Sequence, residues 1–263
     1  YLRSKSKRLG LSLICDLPFY VSFQSPLVWV YQDLFQIDKD GTMKYVSGIL
    51  NTPSTHFGRQ VWGHPLYNWK VKKNRERIIS FWKMRLRYLS TIFDFIRFDH
   101  PVGFFEYGAM DPGNGENDEY KRGPGAEVFE KLIRFGKTCG LLIFAEESGE
   151  HLRKLRATLL KLKTPSIKIF RFAEEEKNGK IKMDYANIAG YPSSTVAYTT
   201  THDTETLIGY LEILSSEQKR KLSAISGITY TQDIEEFAKR IRSSLLLSPA
   251  RIVIIPMQDW LLT

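Results

Sequence analysis

The sequence predicts an α/β fold of the (β/α)8 barrel type, incomplete in this chain at about six of the eight strands, with loops inserted over the C-terminal face. Three observations predict it. Short apolar, β-leaning runs recur at residues 11–15, 93–98, 141–145, 167–172, 195–199 and 252–255, most of them separated by a helical pattern. The runs are continuously apolar rather than alternating, as strands are when helices cover both faces of a parallel sheet. Two stretches, 24–69 and 102–124, are rich in Gly, Pro, Asn, Asp and aromatics and are longer than ordinary connections, which marks them as inserted loop regions above the strand ends.

Taken in order, the basic start (Arg3, Lys5, Lys7, Arg8) leads into the run at 11–15, which Asp16 ends. That beginning is too short in apolar residues for a signal peptide. Residues 75–89 form a helix on the spacing of Ile78, Trp82, Leu86 and Leu89, with basic residues between them. Residues 126–137 and 151–162 are further helices, the second with Ser148 as a cap, and 233–247 is another. Ser215 and Gln218 have the spacing of a capping box ahead of one more. The chain of 263 residues is 43% hydrophobic and 25% charged, and without a Pro/Gly/Ser linker it reads as one main domain over 1–263.

The formal charge of +9 raises the question of a polyanion partner. The basic residues cluster mainly between Lys70 and Arg87, on the polar face of a helix, and no zinc-finger, RNP or Gly-rich phosphate pattern accompanies them. No nucleic acid partner is expected. Cys15 and Cys139 each lie within or beside an apolar run, as small core thiols of a reducing compartment do, so the cytoplasm is the expected location. No run approaches the roughly 18 apolar residues of a membrane span. The first residue is Tyr1, so the chain is expected to start inside a longer protein or to have been cut.

Acids recur where the strands end. Asp16 follows 11–15, Asp99 follows Ile96-Arg97-Phe98, Glu146 and Glu147 follow Ile143-Phe144-Ala145, Asp203 follows Tyr198 to His202, and Asp259 lies a little beyond 252–255. In a barrel these ends open into the bowl where catalytic groups sit. A single acid there is as readily structural, a helix cap or a loop polar group, and that is the reading for Asp16 or Asp259 alone. Converging carboxylates repel one another, which raises the pKa of at least one and makes an acid and a base available together. Glycoside chemistry uses that division: one carboxylic acid protonates the departing oxygen, and another carboxylate attacks the anomeric carbon. No His-x-x-x-His, Cys pair or EF-hand loop accompanies the acids, so no metal is expected.

These strand-end motifs resemble the amylomaltase and disproportionating-enzyme family, 4-α-glucanotransferases of glycoside hydrolase family 77 within the α-amylase superfamily. The resemblance runs from about Leu11 to the end of the chain. It is carried by Asp16-Leu17-Pro18-Phe19-Tyr20-Val21, Trp62-Gly63-His64-Pro65-Leu66-Tyr67-Asn68-Trp69, Arg97-Phe98-Asp99-His100, Lys121 to Gly125, Ala145-Glu146-Glu147, Tyr191-Pro192, Tyr198 to Asp203, and Pro256-Met257-Gln258-Asp259. It implies transfer of α-1,4-glucan segments between maltooligosaccharides or starch- and glycogen-derived glucans, with retention and without a cofactor. Asp99 is then the nucleophile, Glu146 the general acid and base, and Asp203 the holder of the 2- and 3-hydroxyls of the reacting glucose. Arg97 keeps Asp99 ionised, and His100, His202, Asp16, Trp62, Gln60 and Tyr67 contact sugar.

The chain departs from the family pattern at several places. Asn51-Thr52-Pro53-Ser54-Thr55-His56-Phe57 stands where a Pro-Pro-Asp-Tyr-Phe-Ser style loop is usual, Pro101-Val102 where Phe-Arg is usual, Glu147-Ser148 where Asp-Leu is usual, and Gln24 and Thr204 where Asp and Asn are common. Family members also carry two strands before Leu11 and sugar-binding residues after Thr263, which makes a fragment of a longer enzyme the expectation. An α-amylase-like hydrolase and a catalytically weak glucan-binding remnant are the alternatives.

Overall fold

A computed structural model describes residues 1–50, 58–113, 115–147, 152–173 and 182–263. The substituted loop at 51–57 and the cap assigned to Ser148 lie outside the described residues. Among the described residues the strands are β1 Ile14–Pro18, β2 Val46–Ile49, β3 Gln60–Pro65, β4 Phe95–Asp99, β5 Glu106–Met110, β6 Glu119–Arg122, β7 Leu142–Ala145, β8 Ile167–Ile169, β9 Val196–Tyr198 and β10 Ile252–Ile254. The chain divides into two compact units, residues 1–164 and 165–263, each with its own hydrophobic core.

Each of the six apolar runs overlaps a strand, and each of these strands pairs in parallel as expected: β1-β4-β7 in the first unit and β8, β9, β10 in the second, with β9 central. Among the described residues the pairing gives two three-stranded parallel sheets, one in each unit, rather than the single incomplete barrel sheet expected from the sequence. The first strand is also displaced from the expected 11–15. It runs to Pro18, because Asp16 pairs in register with Arg97, and Pro18 with Asp99. Asp16 is therefore a strand residue. The run at 167–172 ends its strand at Ile169 and turns into a 3-10 helix at Phe170–Phe172.

The helix Lys72–Ser90 buries Ile78, Ile79, Phe81, Trp82 and Leu86, and the helix Ala126–Thr138 buries Val128, Phe129, Leu132 and Ile133. Both stripes pack into one core with Ile96, Phe98 and Ile143 of the first parallel sheet. Burying each such large side chain contributes about 1.5–3 kcal/mol, and the Lys and Arg between them are themselves good helix formers. The basic residues of Lys72–Ser90 fall largely on the other side, as the spacing requires.

The stretches 24–69 and 102–124 carry an antiparallel sheet in the order β3-β2-β5-β6, which the apolar-run criterion does not detect. Its strands contain glycine at the crossing point. Gly48 faces Gly108 in register, and a Cβ on Gly48 would stand 2.1 Å from the Gln60 carbonyl oxygen, while one on Gly108 would stand 2.2 Å from that of Gly48. Only glycine allows the three backbones to approach this closely, and the same glycines interrupt the alternation that marks a strand in sequence.

Candidate active site

Parallel pairing of β1, β4 and β7 brings three acidic positions to one end of the first sheet. Asp16 and Arg97 are side by side in register, Asp99 lies two residues further along the same strand as Arg97, and Glu146 follows β7 directly. Residues i and i+2 of a strand share a face, so Arg97 and Asp99 point the same way. The guanidinium lies at the centre. Arg97 Nη1 donates to both carboxylate oxygens of Asp16 at 2.7 and 2.6 Å and to Asp99 Oδ1 at 2.7 Å, and Nη2 stands 3.5 Å from Glu146 Oε2. The Arg97 side chain is 6% exposed and that of Asp99 is 31% exposed, so this cation is held in a poorly solvated place where the three carboxylates offset its desolvation.

Asp99 titrates far from an ordinary aspartate. Burial is the largest cause, the Glu146 carboxyl beside it adds to the effect through charge and a hydrogen bond, and Arg97 pulls the other way; the result is a group pushed up to about 7. The two carboxyl groups lie against one another, so the charge on each disfavours charge on the other. Asp99 takes the shorter contact with the guanidinium, which opposes the effect of burial there. Glu146 Oε2 accepts the backbone N–H of His100 at 2.9 Å.

His100 reaches that position because its backbone is left-handed, with φ 47°. This is an uncommon conformation for a residue other than glycine, and the turn into Pro101–Phe104 holds it. Its imidazole stacks on Tyr20 at 5.8 Å between ring centroids and meets Trp62 edge-on at 5.0 Å, while His64 stacks on the far side of Tyr20 at 6.2 Å. Burial lowers the pKa of both His100 and His64 from the ordinary value, so both imidazoles are neutral hydrogen-bonding groups at pH 7. Trp62 Nε1 donates to Gln60 Oε1 at 2.9 Å, which fixes the indole on the edge of β3. The aromatic wall thus comes from the antiparallel sheet and the segment after β1, and the charged cluster from the parallel sheet.

Tyr67 is not part of that wall, which corrects its assignment as a sugar contact. It is 1% exposed and packs against Phe19, Phe35 and Trp69 with ring centroids 5.1–5.5 Å apart, because the apolar residues around it in sequence turn its ring into the core. Trp69 is buried too. Tyr20 and His64 are what sequence reasoning passed over; both lie inside the quoted motifs, but their partner His100 comes from a different strand, and no spacing reveals that.

The second unit holds the remaining two expected residues. Asp203 and His202 are exposed at the tip of the loop after β9, with His202 Nε2 3.4 Å from Asp203 Oδ1. A short turn sets their backbone: Asp203 N–H donates to Thr201 Oγ1, and Thr204 N–H and Oγ1 both donate to the Thr201 carbonyl, at 3.2–3.3 Å. Asp259 is buried and serves as an internal acceptor, as the structural reading of an isolated acid has it. Of the departures from the family pattern, Glu147 accepts Arg156 Nε at 2.7 Å, a local tie to the helix Leu152–Lys161. Among the described residues no group of three His, Cys, Asp or Glu side chains is placed to hold a metal ion, and no helix is long and apolar enough to cross a membrane.

An arginine-braced carboxyl cluster at the ends of adjacent parallel strands, beside an aromatic wall, marks an α/β protein with a candidate site of the kind acid–base chemistry on polar substrates uses. Comparison with known proteins gives the particular kind. The chain belongs to the 4-alpha-glucanotransferase family of glycoside hydrolases, whose family model matches residues 1–263. It is 30% identical over 267 residues to the 4-alpha-glucanotransferase of Aquifex aeolicus, covering 99% of this chain and 52% of that protein. It is 31% identical to the chloroplastic/amyloplastic 4-alpha-glucanotransferase of Solanum tuberosum, covering 98% of this chain and 42% of that one. Among solved structures, an amylomaltase from Streptococcus agalactiae in complex with acarbose superposes with a TM-score of 0.82 at 27% identity, covering 99% of this chain and 51% of that chain. An α-amylase from Lactobacillus plantarum shares the fold at a TM-score of 0.55 and 14% identity. The chain spans about half the length of the curated relatives it matches.

Proposed function

We propose that the protein is a retaining 4-α-glucanotransferase that moves α-1,4-glucan segments between maltooligosaccharides or starch- and glycogen-derived glucans, without a metal or organic cofactor. The feature that supports this best is the Arg97 guanidinium, bonded to Asp16 and Asp99 and 3.5 Å from Glu146. In the first step an ionised Asp99 oxygen attacks the anomeric carbon, the glycosidic C–O bond breaks, and the proton on Glu146 passes to the departing sugar oxygen. In the second, the hydroxyl of an incoming sugar attacks the same carbon, gives its proton to Glu146, and releases Asp99. Arg97 keeps the Asp99 charge in place before attack, and neutral His100 takes a sugar hydroxyl without adding charge. Asp203 and His202 take the 2- and 3-hydroxyls of the reacting glucose. Trp62, with Gln60 bracing its indole, supplies an apolar face for a pyranose ring, and Asp16 stands at the edge of the charged cluster.

The parallel strands and their helices are read as parts of a (β/α)8-type barrel, with 24–69 and 102–124 as loop regions over its C-terminal face. The two free thiols, Cys15 and Cys139, support a cytoplasmic location. Incubation of the full-length protein with maltotriose tests the activity. Glucose with a ladder of longer oligosaccharides is expected; glucose and maltose alone mean hydrolysis, and unchanged maltotriose refutes the proposal. Asp99→Ala abolishes turnover, and an active variant removes Asp99 as the nucleophile.

A further inference from the structure

Asp203 and His202 are exposed at 62% and 68%, so the backbone of residues 199–207 that carries them bears on where they point. Asp259 is the group in contact with both ends of that segment. Its side chain is 0% exposed. Oδ2 accepts the hydroxyls of Thr199 and Thr200, the latter at 2.6 Å, and Oδ1 accepts the backbone N–H of Leu207 at 2.7 Å. One carboxyl group thereby ties the end of β9 to the first residue of the helix Leu207–Ile213, with the His202-Asp203 turn spanning the gap.

The carboxyl is itself presented rigidly. It sits on the short helix Met257–Leu261, and Arg242 Nη1 donates to the carbonyls of Asp259 and Trp260 at 3.2 and 2.9 Å while its guanidinium covers the Trp260 ring at 4.6 Å. A second strut reaches the same loop from the 3-10 helix Phe170–Phe172 that follows β8. Arg171, 4% exposed, donates from its own backbone N–H to the Thr199 carbonyl at 2.9 Å and from Nε to Glu205 Oε2 at 2.7 Å. Between these two struts the free part of the loop shortens to residues 201–204, which their own turn hydrogen bonds close.

We propose that Asp259 is a positioning residue for sugar binding: it sets the aim of Asp203 and His202 by clamping both ends of their loop, and touches no sugar itself. This rests on the reading that Asp203 binds the reacting glucose. A buried acceptor with three donors leaves all three unpaired when removed, and a displacement of about 1 Å in a positioned group can cost on the order of 100-fold.

The test is a double-mutant cycle on maltotetraose affinity, measured by calorimetry in the full-length protein carrying Asp99→Ala so that nothing turns over. Asp203→Asn is expected to weaken binding about tenfold, and Asp259→Ala by a similar factor. The two together weaken it no further, because the clamp acts through the residue already removed. Asp259→Asn keeps an acceptor for Leu207 N–H in the same volume and recovers most of the affinity, which also separates aiming from simple loss of fold. Losses that multiply, or an Asp259→Ala protein with unchanged affinity, overturn the clamp while leaving the role of Asp203 intact. Unchanged affinity in Asp203→Asn overturns the role of Asp203 and the clamp with it.

Discussion

Replacing Asp99 by Asn trades activity for stability, and the gain depends on pH with a definite sign. Asp99 is pushed up to about 7 from the ordinary aspartate range, because burial and Glu146 outweigh Arg97. The folded protein therefore holds a proton on this group over a range in which the unfolded chain releases it. Below about pH 4 both states are protonated and the raised pKa has no effect. Between about pH 4 and 7 stability falls as pH rises, and above 7 the full cost of the charged group is present. Roughly three units at about 1.4 kcal/mol each give an upper limit of about 4 kcal/mol. Solvent access to a side chain 31% exposed reduces that to about 2 kcal/mol. Asn mimics the neutral acid in shape, so Asp99→Asn matches wild type near pH 4 and exceeds it by about 2 kcal/mol at pH 8, with no glucan transfer at either pH. Urea unfolding at pH 4.5, 6 and 8, with unchanged m-values, measures the difference. A difference that is flat with pH, or that favours wild type at pH 8, refutes the claim that burial and Glu146 dominate the Asp99 environment.

Arg97→Met removes the cation that three carboxylates share, so it lowers stability by about 2 kcal/mol at pH 8 and by less at pH 5, where Asp99, pushed up to about 7, holds a proton; equal losses at the two pH values in urea unfolding would mean that the brace is only packing. Tyr67 is a core residue whose buried hydroxyl has no hydrogen-bond partner of normal geometry, although Arg85 and Trp82 lie near it, and burial pushes that phenol up to about 12. Tyr67→Phe is therefore expected to leave the glucan KM unchanged and to alter stability by no more than about 1 kcal/mol, whereas Tyr67→Ala costs about 3–5 kcal/mol in thermal or urea unfolding. A Tyr67→Phe enzyme with a KM several-fold higher would restore Tyr67 to the sugar-binding set.

How much of the site is legible in sequence follows from which contacts are local. Arg97 and Asp99 share a strand face at i and i+2, so their pairing is readable from spacing, and it is present. The place of Asp16 beside Arg97 depends on the register between β1 and β4, and the expected strand end at Cys15 put Asp16 after the strand instead of within it. The antiparallel sheet was illegible because Gly48 and Gly108, which its close backbone approach requires, are the residues that read as loop. The His100 wall joins Tyr20, Trp62 and His64 from three segments, and no one-dimensional pattern links them.

By itself the sequence determined the six parallel strands, the helices that bury apolar stripes against them, and the acids and arginine at their ends, since apolar periodicity and i, i+2 geometry act over a few residues. Only the tertiary structure decided which acids stand around Arg97, that Tyr67 packs into the core while Tyr20 stacks on His100, and that Asp259 accepts from Thr200 and Leu207, more than fifty positions before it. Those outcomes depend on burial and on distances across strands, and both quantities exist only once the chain has folded.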